Sequence, residues 1–577
     1  MDKEELIDLW MAQGYLNAEE DEEIEMIGEE YFNILATRSF FQEFEIYGAD
    51  GEYVKCKMHD IVHDFAQFVS SKECLWLEIS GTKESVINSF GDKVRHLGLK
   101  LKRGASFPMS IHGLNRLRTL LISDEFYNLS LSSSNLAELF SKLACLRALV
   151  IKQFYPNRIR EIPENVGKLI HLKFLNLSRL AIERLPETLC ELYNLQKLDI
   201  RRYEYLRELP AGIGKLKNIR SLLNARTPLK HMPIGIARLT SLRTLDRFVV
   251  GGDVDGSSTS RLESLKNLQL LRDYVIDELS SVSHLDEAER LELHNMENLL
   301  RLCLVFDGGD EDWEDEEEED AEVVEGLDEE GRRKNEKLLE ALQPPLNVEE
   351  LRIVSYGGNI FPKWLTSLTN LRELKLLLCF NCERLPPLGK LPLEKLQLKN
   401  LKSVKRVGNE FLGIEESSED GPSSSSSSPS VFAFPKLKSL EIHGMEELEE
   451  WNYRITMKEN ISIMPRLSFL EVSSCNKLKA LPDYLLQTTA LQELSICSCD
   501  LLEELPILED RRTTDIPRLT SLWISDCPNL KVLPDYLLQT LQLLIILGCD
   551  LLEEHYREGK GEDLQKISHI PHIKWSP

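Results

Sequence analysis

The sequence predicts an α/β chain in two parts, a long solenoid of horseshoe type behind a small winged-helix α+β module. Three observations predict it. The pattern apolar-x-x-apolar-x-apolar occurs sixteen times between Val94 and Leu541. Residues 1–93 lack that pattern and carry helical and hairpin signals instead. The charge changes sign where the two parts meet: residues 1–93 hold 22 acids against 7 Lys or Arg, and residues 94–250 hold 12 against 27.

The repeat begins at Val94 (VRHLGL), Leu117 (LRTLLI), Leu146 (LRALVI), Leu172 (LKFLNL) and Leu195 (LQKLDI). It continues in degenerate form at Ile219 and Leu242, then at Leu299, Val348, Leu371, Leu393, Leu437, Leu467, Leu491, Leu519 and Leu541. Uninterrupted steps are 22 to 26 residues, the period of leucine-rich repeats. Each unit supplies one short strand whose spaced leucines need neighbouring units to bury them, so stacking creates one continuous core. Ile-Pro or Leu-Pro pairs at Pro163, Pro186, Pro210, Pro386, Pro482 and Pro534 mark the return arm, because proline fixes φ and donates no hydrogen bond. The domain boundaries read from this are 1–93 for the module and 94–577 for the repeats.

Two segments interrupt the repeats. Asp307 to Glu330 holds 16 acids and no base, and residues 417–429 are rich in serine. Neither has the apolar residues to build a core, so both read as solvated insertions, an acidic one at 307–330 and a flexible one at 417–429.

In the module, Lys3–Gln13 and Glu22–Arg38 have helical periodicity, with Leu6, Leu9 and Trp10 on one stripe and Ile27, Tyr31, Ile34 and Leu35 on another. Ser39–Tyr47 and Glu52–Met58 read as two strands of a hairpin, and His59–Ser71 as a third helix with Ile61, Val62, Phe65, Ala66 and Val69 apolar.

Composition excludes several functions. The net charge is −27, and the module alone carries −15, which argues against DNA binding by the winged helix. No run of about 18 apolar residues occurs, so no membrane-spanning helix is expected. The start, MDKEELIDLW, lacks a basic region followed by an apolar one, so no secretory signal is read there. Twelve cysteines are expected to be reduced thiols, which suits a cytoplasmic protein, with the nucleus as a second compartment.

The candidate metal and catalytic sites each have a plainer reading. Cys379 and Cys382 form a CxxC, but Cys379, Cys475, Cys499, Cys527 and Cys549 each lie eight residues after the first leucine of a repeat. That is the turn position where these repeats place Asn or Cys, so a structural role is expected rather than zinc. His59 and His63 could share a helix face beside Asp60 and Asp64, without a further cluster to complete a metal site. Asp253–Gly256 starts like a calcium loop and lacks the distal Glu. GxSxG and HExxH are absent. The chain is expected not to be an enzyme.

On the inner strands, Lys173, Phe174, Asn176, Lys197, Asp199, Arg201, Arg202, Arg220 and Arg243 occupy or follow positions that point away from the leucine core. A block of +15 beside one of −15 is more than solubility requires. The expectation is that residues 94–250 dock on residues 1–93, using Lys173, Phe174, Lys197, Arg201, Arg202, Arg220 and Arg243.

LIDLWMAQGYL (6–16), RSFFQ (38–42), the triplet Met58-His59-Asp60 and VRHLGL (94–99) resemble the winged-helix end of plant NB-ARC–LRR disease-resistance proteins. Trp10 resembles the coiled-coil (non-TIR) branch, and the ending GEDLQKISHIPHIKW is similar to its carboxy-terminal close. The resemblance implies an intracellular immune receptor whose repeats sense a pathogen effector or a guarded host protein. It further implies an ADP/ATP switch, with His59 contacting the ADP phosphates and Met58 and Asp60 holding the loop. The sequence departs from the family in having no GxxxxGK[ST], so no cofactor is expected for this chain alone. A truncated product or a fragment would both account for that. The competing readings are a repeat-only adaptor, such as a ubiquitin-ligase substrate receptor, and a nucleotide hydrolase, which the missing phosphate loop opposes.

Overall fold

The computed structural model describes residues 2–16, 23–47, 53–80, 93–102, 105, 107–124, 131–153, 159–251, 259–307, 327–414, 431–451, 461–486, 488–506, 518–557 and 562–576. The hairpin tip, the loop at 253–256, most of the acidic segment and the serine-rich segment lie outside the described residues. The chain divides into two compact units, a first comprising Met1–Ile276 and a second whose largest piece is Val323–Pro577.

In the first unit, the order is α1 (Lys3–Gln13), α2 (Ile24–Thr37), β1 (Phe41–Tyr47), β2 (Tyr53–Met58), α3 (Asp60–Ser70) and β3 (Cys74–Ile79). Asp2 caps α1 by accepting the Glu5 amide at 3.2 Å, and Gly14 closes it at φ 75°, a conformation that disfavours any side chain. β1 and β2 pair antiparallel, Phe41 opposite Met58, with a bulge between Gln42 and Glu45. Helices and hairpin enclose a small core of Ile7, Met11, Leu16, Phe32, Phe41 and Cys56, in which the Phe32 and Phe41 rings stack 5.0 Å apart.

Two helical stripes differ from expectation. On α1, Leu6 and Trp10 pack into the module while Leu9 packs elsewhere, against the repeat strands. On α2, Tyr31 and Ile34 are exposed, and Phe32 is the buried anchor with Gly28 beside it. Gly28 lets α1 approach, since a Cβ there would sit 2.4 Å from an Ile7 methyl. α3 buries no residue: Ile61, Phe65, Phe68 and Val69 are all exposed.

β3 pairs in parallel with β4 (His96–Leu101), Cys74 opposite His96, so the repeat sheet starts at Cys74, inside the span 1–93 read as winged helix. The sheet continues through β5 (Thr119–Asp124), β6 (Ala148–Gln153), β7 (Phe174–Asn176), β8 (Lys197–Asp199), β9 (Ser221–Leu223), β10 (Thr244–Val249) and β11 (Asp273–Asp277). All of the pairings from β3 to β10 are parallel. The second unit stacks the same way, from Arg301–Val305 to His572–Trp575. β11 and the strand His572–Trp575 escape the repeat pattern because Tyr274 and Trp575 stand where aliphatic residues usually mark it.

Leucines of consecutive units stack at zero exposure, as Leu120, Leu149, Leu175, Leu198, Leu222 and Leu245 do. Prolines 163, 186, 210, 233 and 362 open one-turn 3-10 helices on the return arm, where a missing amide donor costs nothing. After the strands the chain turns through a left-handed residue, as at Leu378, Ser474, Ser498 and Asp526. The next residue is the buried cysteine, whose thiol donates to the carbonyl two positions back: Cys379 to Leu377 at 3.4 Å, Cys527 to Ser525 at 3.3 Å. The Cys382 thiol donates to the Arg384 carbonyl. Among the described residues, no three or more His, Cys, Asp or Glu side chains are arranged to hold a metal ion. Asp328, at the close of the acidic run, caps a helix over Glu329–Ala341 by accepting the Gly331 amide at 2.8 Å, so that end of the segment is ordered. No helix among the described residues is long and apolar enough to cross a membrane.

Candidate functional site

The second residue of each repeat in the first unit forms a column: Arg95, Arg118, Arg147, Lys173, Gln196, Arg220, Arg243 and Arg272. Their backbones are stitched in register, each amide donating to the carbonyl of the preceding member, as Arg118 to Arg95 and Arg243 to Arg220, both at 2.7 Å. Identical spacing in every repeat therefore lines up six of the 27 bases of the +15 block, with Arg272 beyond it, along one edge of the strands. Each column residue stands just before its strand, and within the strand residues two apart share a face, so Thr119 with Leu121, Ala148 with Val150 and Phe174 with Asn176 line the side opposite the buried leucines.

Helices α1 and the start of α2 lie against this face. Ala12 and Leu9 pack on Leu121, Ala148, Val150 and Phe174, and both Ala12 and Phe174 are almost fully buried. Gln13 Nε2 donates to Thr119 Oγ1 at 2.9 Å, and Arg147 Nη1 donates to the Gln13 carbonyl at 3.0 Å. A guanidinium suits that place, because the last carbonyls of a helix are unpaired and carry partial negative charge.

An ion-pair ladder surrounds the apolar patch. Glu5 pairs with Lys152, and Asp8 Oδ2 lies 2.8 Å from Lys197 Nζ. Glu25 accepts a two-pronged contact from Arg220, Nε and Nη2 each at 2.6 Å. Glu23 holds both Arg243 and Arg272. Glu23 is the residue that precedes α2, and its carboxylate does not cap the helix because the two guanidiniums take it. Placing both acids at the positive end of the helix dipole adds to the same balance.

Electrostatics follow burial. Burial pushes the Asp8 carboxyl up to about 6, against the opposing pull of Lys197. Burial works against the Lys197 ammonium, yet Asp8, Glu4 and Asp199 around it hold its pKa above the ordinary lysine value. Burial likewise opposes the Glu25 charge, but the hydrogen bonds and charge of Arg220 bring its carboxyl below the ordinary range. Burial, with Arg147 beside it, lowers the Lys173 ammonium.

Not every expected residue meets the module. Phe174, Lys197, Arg220 and Arg243 do, with Phe174 on the face away from the leucine core and buried there as the apolar floor under α1. Lys173 makes no ion pair among the described residues and is half-buried. Arg201 turns back on its own repeat, Nη2 to Asp199 Oδ2 at 2.7 Å, because that carboxylate is 2% exposed and needs a cation. Arg202 sits in the left-handed turn after β8 at φ 60°, its amide donating to the Ala225 carbonyl. Asn176 is buried and accepts the Ser178 amide. Reading strand positions one by one overlooks Arg147, Lys152 and Arg272; reading the second position of every repeat as a column brings Arg147 and Arg272 into view.

The Met58-His59-Asp60 triplet lies at the junction of β2 and α3. Met58 ends the hairpin opposite Phe41, His59 precedes the helix, and Asp60 is exposed in its first turn. The His59 Nδ1 atom accepts the Ile61 amide at 3.3 Å, which leaves Nε2 as the carrier of the proton in the neutral ring. One imidazole N–H suits a single phosphate oxygen. The chain has no GxxxxGK[ST], so its residues fit one contact to a nucleotide and not the nucleotide itself. His63 is drawn along its own helix, next to Asp64 and Gln67.

Comparison with known proteins bears on the whole chain. A family model described as the disease resistance protein winged helix domain matches residues 1–66, and one described as R13L1/DRL21 LRRs matches residues 262–401. The chain is 31% identical to disease resistance RPP13-like protein 1 of Arabidopsis thaliana over 96% of its own length and 54% of that protein. It is 30% identical to disease resistance proteins RGA4 and RGA2 of Solanum bulbocastanum, over 99% and 92% of this chain and 57% and 47% of theirs. It thus spans about half the length of these relatives. A leucine-rich-repeat protein of Leptospira interrogans aligns with 81% of this chain and 94% of its own, at 20% identity and TM-score 0.44.

Proposed function

The chain belongs to the plant disease-resistance proteins, whose winged-helix and leucine-rich-repeat parts it carries, and on that premise we propose that it is the sensing and restraining half of an intracellular immune receptor. In this reading the repeats recognise a pathogen effector or a guarded host protein. The winged-helix module, held on the first repeats, passes that event to a nucleotide-dependent switch built with domains beyond this chain. The chain itself performs no catalysis and needs no cofactor of its own.

The observation that supports the reading is the ladder of Glu5, Asp8, Glu25 and Glu23 on Lys152, Lys197, Arg220, Arg243 and Arg272. Bases drawn from five repeats, between Lys152 and Arg272, converge on two short helices, which solubility alone does not require. Solvent still reaches most of these half-buried pairs, so salt and competing charge weaken them and a ligand can release the contact. The exposed apolar face of α3, with His59 at its start, is where a nucleotide-binding domain would meet the module.

The test uses a complete receptor carrying these residues. Replacing Glu23 and Glu25 with Arg should release the module and give defense signalling without an effector, and restoring charge with Arg220→Glu and Arg243→Glu should suppress it. Signalling that stays effector-dependent in the first variant would refute the regulatory role. Replacing Asp60 with Val should shorten ADP retention, and unchanged retention would count against the triplet.

A further inference from the structure

The second unit presents a sheet face built like the one under α1, with the charge reversed. Five consecutive strands, Ser439–His443, Phe469–Ser473, Glu493–Cys497, Ser521–Ser525 and Leu543–Leu547, pair in parallel and in strict register. Their even positions are buried leucine, isoleucine and valine, so positions one, three and five face away from the core. Register aligns Glu441, Glu471, Ser495, Trp523 and Ile545 in the central row. The row beside it aligns Ser439, Phe469, Glu493, Ser521 and Leu543. None of the fifteen outward positions is Lys or Arg.

The result is an apolar patch with an acidic margin. Trp523 is 46% exposed, Phe469 and Leu543 are half-buried, and Glu493 is exposed. Glu441 accepts Gln397 Nε2 at 2.7 Å, which fixes the carboxylate on this face. The next strand, Lys395–Lys399, brings bases back and marks where the acidic stretch ends.

In the first unit, a face of Ala148, Val150 and Phe174 bordered by bases receives α1, whose Leu9 and Ala12 meet the patch while its acids meet the border. Deepening the recognition role proposed above, and resting on it, we propose that the face around Trp523 docks a basic amphipathic segment of another protein, apolar residues on Trp523, Phe469 and Leu543 and Lys or Arg on Glu441, Glu471 and Glu493. A half-exposed indole suits this partner twice over, as an apolar anchor and as a ring for a cation to stack on. Five strands about 4.8 Å apart span roughly 19 Å, the length of about 13 helical residues.

The experiment titrates the full chain with a synthetic 14-residue helix-forming peptide carrying Leu at i, i+3, i+4 and i+7 and Lys elsewhere, followed by tryptophan fluorescence and calorimetry. Binding is expected to weaken at least tenfold in Trp523→Ala and in Glu471→Lys/Glu493→Lys, and to be kept in Trp523→Phe. It should be unchanged in Arg160→Glu, an exposed base of the first unit outside both this face and the module contact; loss there would overturn the assignment to Trp523. Equal binding of a scrambled peptide of the same composition, or of one with Glu for Lys, would overturn the proposal. So would equal weakening by Glu329→Lys/Glu330→Lys, outside the patch. Circular dichroism confirms that each variant is folded.

Discussion

Reversing Arg220 to Glu is the sharpest probe of the contact between module and repeats. In the native chain this guanidinium gives Glu25 two parallel hydrogen bonds of 2.6 Å, in a setting where its side chain is 23% and that of Glu25 35% exposed. A charge-assisted hydrogen bond of this kind contributes about 1.5–3 kcal/mol, and reversal replaces attraction by repulsion between two half-buried carboxylates. A loss of about 3 kcal/mol is expected, discounted from the fully buried case because solvent reaches both groups. The measurement needs a position that is hidden only while the module is docked. Val150 is 1% exposed under Ala12, so a thiol placed there by Val150→Cys reports opening through its labelling rate, read by mass spectrometry. Arg220→Glu should speed labelling roughly 150-fold, since each 1.4 kcal/mol is tenfold. Glu25→Arg should do much the same, and the two together should recover most of the native rate, because the pair is then restored with its poles exchanged. A labelling rate that moves less than about twofold in Arg220→Glu, or a double variant as open as the singles, would refute the view that this pair holds the module in place.

The same reporter checks a pH effect. Asp8 has a docked value of about 6 against an ordinary 3.8, so the docked state binds the proton more tightly; docking should strengthen as pH falls from 7 to 5, by about 1 kcal/mol, and Asp8→Asn should abolish the trend. Raising salt from about 0.05 to 0.5 M should increase labelling in the native chain, since half-exposed ion pairs are screened, and an indifferent rate would mean that the apolar patch alone holds α1. Equilibrium dialysis of the isolated chain should show no micromolar ADP binding, because a single imidazole is all it offers a phosphate; tight binding would overturn that reading. Gly444 has φ 67° and a Cβ there would fall 1.9 Å from Asn400 Oδ1, so Gly444→Ala should cost about 2 kcal/mol in urea unfolding.

The repeats, the helices of the module and the opposed charges are all legible in the sequence, since each rests on local rules. A leucine every 22 to 26 residues has one way to be buried, and Lys3–Gln13 and His59–Ser71 show their helical period without reference to anything distant. Which side of a helix is buried, and against what, is not local. α1 is apolar on two sides, and only the packed chain assigns Ile7 and Met11 to the module and Leu9 and Ala12 to the sheet. The two charge blocks predict attraction but not partners: Arg201 is as basic as Arg220, yet the buried Asp199 two residues away claims it, while Arg220 finds Glu25 195 positions earlier. An ion pair is decided by where desolvated acids come to rest, and that depends on the register of every strand between them. The sequence determines a repeat array with an acidic head beside a basic start. Tertiary packing alone decides that Cys74–Ile79 joins the sheet, that Glu23 is shared by Arg243 and Arg272, and that the apolar face of α3 stays open to solvent.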